Sequence, residues 1–166
     1  MRPWKSLGAM IAHEFDEETR KLKLPDFRPD GNEKALEAVY QYGFSYPVVG
    51  NLLITGPNGS GKSHLAVALA YTVAEEASVI YATAKRLQSA TWEQIQSAKA
   101  VDLLVIDDLE DSEILRVILQ DRKDYEKPTI YTARSPFGAK NVPQCYPLMQ
   151  GCQAIALQVM PALAKV

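Results

Sequence analysis

The sequence predicts a three-layer α/β/α domain, and two observations carry that prediction. Short apolar runs alternate with stretches of helical length and helical pattern. The runs are apolar throughout instead of alternating with polar residues, which marks strands of a parallel sheet covered on both faces. A glycine-rich loop over residues 56–63 joins the first apolar run to an amphipathic stretch. A length of 166 residues suits one domain able to bury its own core.

Taken in order, residues 1–31 read as an N-terminal arm. A short helix over residues 12–22 precedes Pro25, Pro29 and Gly31, which break regular structure. The arm is too small for a domain and serves as an extension of the core or as a docking peptide. Residues 32–166 form the core. Asn32 is placed to cap a helix carrying Ala35, Leu36, Val39 and Tyr40, with Gly43 near its end. Val48, Val49, Leu52, Leu53 and Ile54 suggest the first strand, interrupted by Gly50. Residues 62–76 read as a helix, with Leu65, Leu69 and Val73 along one stripe. Residues 78–82 follow as a strand, and 84–99 as one or two short helices. Residues 101–107 are a third strand that runs into two aspartates. Residues 112–123 form a helix with Ile114, Leu115, Ile118 and Leu119 inward, and 129–132 and 154–159 supply two more strands.

The loop carries the chemistry. Gly56-Pro57-Asn58-Gly59-Ser60-Gly61-Lys62-Ser63 satisfies the phosphate-loop pattern G-x-x-x-x-G-K-[ST] at every fixed position. Gly56, Gly59 and Gly61 permit backbone angles and approaches that a Cβ would forbid, so the loop can turn its N–H groups inward as an anion nest. The helix that follows adds its free N–H groups and the positive end of its dipole. Lys62 would reach the β- and γ-phosphates of a nucleoside triphosphate, and the Ser63 hydroxyl would ligate Mg²⁺. His64 follows directly and closes the run assigned to the nucleotide, although as a side chain it reads as a helix residue and not as a catalyst. The strand on one side and the helix on the other are the context that this mechanism requires.

A second element lies about 45 residues downstream: Leu103-Leu104-Val105-Ile106-Asp107-Asp108. A buried strand ending in adjacent acids sets them at the carboxyl edge of the sheet, where open α/β folds bind ligands. Asp107 is assigned to the metal and Asp108 to the attacking water. Thr132, at the end of the next strand, is the candidate sensor of the γ-phosphate or the water, and Arg134 could touch phosphate or solvent.

Composition narrows the function classes. Eighteen Lys and Arg against 20 Asp and Glu leave a net charge of −2, so no global basic field recruits nucleic acid. A local DNA-binding face through Arg116, Arg122, Lys123, Lys127, Arg134 and Lys140 is weighed against a solvated mixed-charge face. The interleaved Asp121, Asp124 and Glu126 favour the second. Cys145 and Cys152 lack the spacing and the His partners of a metal site, and read as reduced thiols. The apolar stretch near the N-terminus is too short for a secretory signal or a membrane helix, so the expected location is the cytoplasm.

With both halves placed, the chain resembles the AAA+ ATPases of the replication-initiator and helicase-loader branch, the group of DnaA, Hda, DnaC and IstB. The resemblance covers roughly residues 24–162. Its specific parts are Gly61-Lys62-Ser63-His64-Leu65-Ala66-Val67-Ala68-Leu69, Ser78-Val79-Ile80-Tyr81, Val101-Asp102-Leu103-Leu104-Val105-Ile106-Asp107-Asp108 and Ala156-Leu157-Gln158-Val159-Met160-Pro161. Phe27-Arg28-Pro29 and the helix over 32–42 are similar to the segment that packs around the adenine. The resemblance implies ATP, in preference to GTP, with Mg²⁺; a five-stranded sheet in the order 5-1-4-3-2; and a role in assembling or regulating a replicative or transposition complex, with a replicative helicase or a full-length AAA+ initiator as partner.

The departures shape the expected activity. The branch usually carries arginines shortly before the last strand, which complete a neighbouring subunit's site. Here residues 145–151 hold none, and no arginine follows Arg134. With Val166 just past the last strand, the expectation is a core without the helical lid. Weak intrinsic hydrolysis and nucleotide-dependent contacts follow. Two other readings stay open: a small-molecule or nucleotide kinase of the P-loop class, and a non-hydrolysing scaffold that holds ATP.

Overall fold

In the computed structural model, which describes residues 32–46, 50–74 and 77–158, five strands form one sheet. They are β1 Leu52–Gly56, β2 Val79–Thr83, β3 Leu103–Asp107, β4 Thr129–Arg134 and β5 Gln153–Ala156. All pair in parallel, in the order β2-β3-β4-β1-β5, which is the expected 5-1-4-3-2 read from the other edge. The sequence explains the placement. β3 is buried at every position and β2 nearly so, and these are the runs without polar alternation.

Among the described residues five α-helices cover the sheet: α1 Glu33–Ser45, α2 Lys62–Val73, α3 Ala84–Gln88, α4 Trp92–Ala100 and α5 Glu113–Asp124. A short 3₁₀ turn, Tyr146–Met149, precedes β5. The chain moves outward from β1 to β2 and then back through β3 and β4. Right-handed crossovers therefore set α2 on one face, and α3, α4 and α5 on the other. The packing agrees, since α1 lies against α2 while α3, α4 and the 3₁₀ turn lie against α5. Three helices start on side-chain caps: Thr83, Thr91 with a full capping box to Gln94, and Ser112 accepting from the Leu115 N–H.

Four details differ from expectation. Asn32 makes no cap; its amide instead pairs with the backbone of Gln158 in both directions, at 2.9 and 2.8 Å, and ties the start of α1 to the end of β5. The α2 helix is buried nearly all round from Leu65 to Ala70, where a single stripe was expected, because α1 covers its outer side. Small residues permit that approach: a Cβ on Gly43 of α1 would already come within 3.3 Å of Leu69 Cδ1. β1 starts only at Leu52. Arg122, counted above with the surface cations, is 1% exposed. Its guanidinium donates to the carbonyls of Ala98, Lys99, Val101, Asp102 and Pro128 and to Thr129 Oγ1, so it is a clamp at the amino end of the sheet and no DNA contact.

The arm over residues 1–31, Val48, Val49, the end of the helix expected to residue 76, and the segment from Val159 lie outside the described residues. Among the described residues no helical lid follows β5, and no helix is long and apolar enough to cross a membrane.

Candidate functional site

The site is built where β1, β3 and β4 reach their carboxyl ends beneath the start of α2. The loop leaves β1 at Gly56, turns with the Ser60 N–H on the Pro57 carbonyl at 3.2 Å, and enters α2 through Gly61. Gly59 and Gly61 have φ of 81° and 90°, in the left-handed region that a side chain disfavours. Gly56 is required for another reason. A Cβ there would collide with Ser60 Oγ and lie 3.2 Å from Leu157 Cβ. The sharp turn at Gly61 leaves α2 without a side-chain cap, so its first N–H groups face the loop.

Each assigned residue has a definite position. Lys62 is buried, and its Nζ reaches back over the loop to the Pro57 carbonyl at 3.5 Å. Asn58, Gly59 and His64 are exposed; Pro57 and Ser63 are half-buried. Ser63 Oγ donates to Asp107 Oδ1 at 3.0 Å, joining two segments 44 residues apart in sequence. Asp107 is 5% exposed and also accepts from Thr132 Oγ1 on the same oxygen and from Tyr81 Oη on Oδ2. Its carboxylate is therefore surrounded by three hydroxyls from α2, β4 and β2.

Thr132 is fully buried. Besides donating to Asp107, its Oγ1 accepts the Asp108 N–H at 2.9 Å, and its carbonyl accepts the Leu109 N–H at 2.9 Å. This pair of bonds turns the chain sharply after β3, with Asp108 held at φ 55°. Its carboxylate is thereby set on the surface while Asp107 stays inside. Arg134 ends β4 beside Gly56 and is exposed. Four residues beyond Asp107, Asp111 caps the N–H groups of Gln144 and Cys145 at 3.1 and 3.0 Å. Burial raises its pKa, but those N–H groups outweigh burial and hold it below the ordinary aspartate value.

The residues present fit a phosphate with its divalent cation. Ser60 Oγ is buried without a hydrogen-bond partner among the described residues, at the inner wall of the loop. The buried Lys62 ammonium has only one distant neutral acceptor there, and an anion would complement it. Ser63 and Asp107 offer a hydroxyl and one carboxylate side by side. That is a donor set for Mg²⁺, which is commonly held by one or two protein oxygens together with water and substrate phosphate.

In sequence Tyr81 is no more than one position of the second strand. The missed signal was a tyrosine inside an otherwise apolar buried run, since a buried phenol must find a partner for its hydroxyl.

Comparison with known proteins agrees with this geometry. The fold is similar to the replication initiator DnaA bound to AMPPCP and single-stranded DNA, at 24% identity and TM-score 0.73, over 84% of this chain and 50% of that one. It is similar to the DnaC helicase loader at 18% identity and TM-score 0.71, over 86% of this chain and 99% of that one. It is also similar to DnaI, at 20% identity and TM-score 0.72, over 88% and 93%. At these identities the likeness speaks for the fold, and the chain spans half the length of the DnaA structure. No curated protein sequence matches it. Residues 18–139, which include the whole loop, Asp107, Asp108 and Thr132, match the family described as IstB-like ATP binding protein. The phosphate loop, the paired acids and the sheet order thus occur in a chain that belongs to the IstB-like ATP-binding protein family.

Proposed function

We propose that this chain binds ATP with Mg²⁺ between the loop over residues 56–63 and Asp107, hydrolyses it slowly, and uses the bound nucleotide to control contact with another replication protein. The observation that carries the reading is the Ser63 Oγ–Asp107 Oδ1 bond at 3.0 Å, which brings the two halves of the motif to one point under the α2 N-terminus. When bound, the nucleotide supplies a phosphoanhydride bond and the metal neutralises charge developing on its oxygens. In this reading the loop N–H groups and Lys62 hold the phosphates, and Ser63 and Asp107 hold Mg²⁺. Asp108 orients the attacking water, and Thr132 acts by fixing both acids, a role that its two hydrogen bonds support.

Slow turnover is what the departure from the resembled branch implies. Residues 145–151 carry no arginine where the initiator and loader branch usually has one, and a trans arginine contributes on the order of 10³–10⁵ in rate in GTPases. A partner able to lend an arginine would therefore raise turnover. The DnaC and DnaA likenesses favour a replicative helicase or a full-length AAA+ initiator as that partner, and a cytoplasmic site of action. DNA contact through the surface cations is disfavoured, since Arg122 is buried and Arg116 is paired with Glu113.

The test is thermal unfolding with Mg²⁺ alone, Mg²⁺-ATP, Mg²⁺-ADP and Mg²⁺-GTP, alongside Lys62→Ala. ATP at 100 times its Kd stabilises a fold that binds it only when native by about 2.7 kcal/mol. That gain should be absent in Lys62→Ala. No shift with any nucleotide would sink the proposal.

A further inference from the structure

Two buried tyrosines of the described core show contrasting uses of a hydroxyl. Tyr42 donates to the carbonyl of Gly50 at 2.8 Å, the ordinary way in which a core phenol is satisfied. Tyr81, fully buried on β2, donates to Asp107 Oδ2. The strand register explains how it reaches. Tyr81 stands opposite Val105 and Thr83 opposite Asp107, so Tyr81 and Asp107 share a face of the sheet on the diagonal. A long aromatic side chain spans that offset, about 7–8 Å between backbones, and a serine or threonine would not. The oxygen that Tyr81 engages is the one remote from Ser63. Ser63 and Thr132 both donate to Oδ1. The carboxylate cannot turn to exchange its two oxygens without breaking the phenol bond.

We propose that Tyr81 is a positioning residue for the cation site: it locks Asp107 from the β2 side so that Oδ1 stays beside the Ser63 hydroxyl. This inference rests on the nucleotide-and-Mg²⁺ reading above. Partners that orient metal-ligating groups typically contribute 10–100-fold in metal affinity.

The experiment is a Mg²⁺ titration of the binding of a fluorescent ATP analogue to the full chain, with a parallel affinity measured in EDTA. For Tyr81→Phe, which keeps the ring and removes the hydroxyl, the Mg²⁺ midpoint should rise by about 10–100-fold, while the affinity in EDTA stays at the wild-type value. An unshifted midpoint, or an equal loss of affinity in EDTA, overturns the proposal.

A second comparison does not depend on how well the single variant folds: Asp107→Ala against Asp107→Ala/Tyr81→Phe. Without the carboxylate the phenol has nothing to position, so the two should share one Mg²⁺ midpoint. A further shift in the double variant overturns the proposal. Wild-type chain that binds no nucleotide in either condition would overturn the parent reading and this one with it. Normal wild-type binding with an unshifted Tyr81→Phe overturns the Tyr81 role alone.

Discussion

Two buried charges stand at opposite ends of the sheet, and they are satisfied in opposite ways. At the carboxyl end, Asp107 is held by hydroxyls of Ser63, Thr132 and Tyr81, all of them side chains on rotatable bonds. At the amino end, Arg122 is held by five backbone carbonyls from the end of α4, the entry to β3 and the entry to β4, together with Thr129 Oγ1. The half-buried Ser63 hydroxyl can rotate away from Asp107, while the buried Thr132 and Tyr81 hydroxyls hold the carboxylate in place. Backbone carbonyls cannot move without moving the strands. Burial pushes the pKa of the Arg122 guanidinium down to about 10, and its ring of carbonyls holds the ion in place. One end keeps a rotatable partner and the other is held by backbone.

The sharpest way to break this comparison is Arg122→Met. Five carbonyls would lose a charged donor at once, and the expected loss is at least about 3 kcal/mol, measured by urea unfolding. A loss no larger than that of the exposed Lys123→Ala would mean that the amino end is not a clamp.

The next effect belongs to the other end. Gly56→Ala should lower ATP-analogue affinity at least ~10-fold, because the added Cβ displaces Ser60 and the loop, with a stability loss of about 1–3 kcal/mol from overpacking against Leu157. Binding at wild-type strength would show that the loop adapts.

The smallest effect compares two carboxyls, an exposed Asp102 and a half-buried Asp111. Asp102 accepts the Ser78 N–H, and Asp111 those of Gln144 and Cys145. Both have pKa values below the ordinary aspartate value: Asp102 chiefly through the Ser78 N–H, Asp111 because its N–H partners outweigh burial. A lowered folded-state pKa contributes stability above the unfolded value and loses it as pH falls through the folded one. Stability should therefore fall below about pH 4, and Asp102→Asn or Asp111→Asn should each flatten that limb by less than ~1 kcal/mol. An acid limb unchanged in both variants would assign it to other groups.

The Asp107 end was far more legible in sequence than the Arg122 end. Glycines at 56, 59 and 61, Lys62, Ser63 and the Asp107-Asp108 pair are short-range signals, each tied to a backbone angle or a ligand. The strands announced themselves because burial on both faces forbids polar alternation. Arg122 gave no such signal. In sequence it lies among Asp121, Lys123 and Asp124, indistinguishable from a solvated face, and only its position beneath α4 reveals the carbonyls that it meets. Asn32 misled in the same way: its local pattern says helix cap, yet a backbone 126 residues away offered its amide two hydrogen bonds at once.

Hydrophobic period and local backbone freedom were enough for sequence to determine the layers, the glycine turns of the loop and the placement of two acids at a strand end. Tertiary structure alone decided which groups surround those acids. The three hydroxyls on Asp107 come from positions 63, 81 and 132, separated by a helix and two crossovers, and no local pattern encodes that meeting. A parallel sheet brings non-neighbouring segments side by side, and its register selects which side chains share a face.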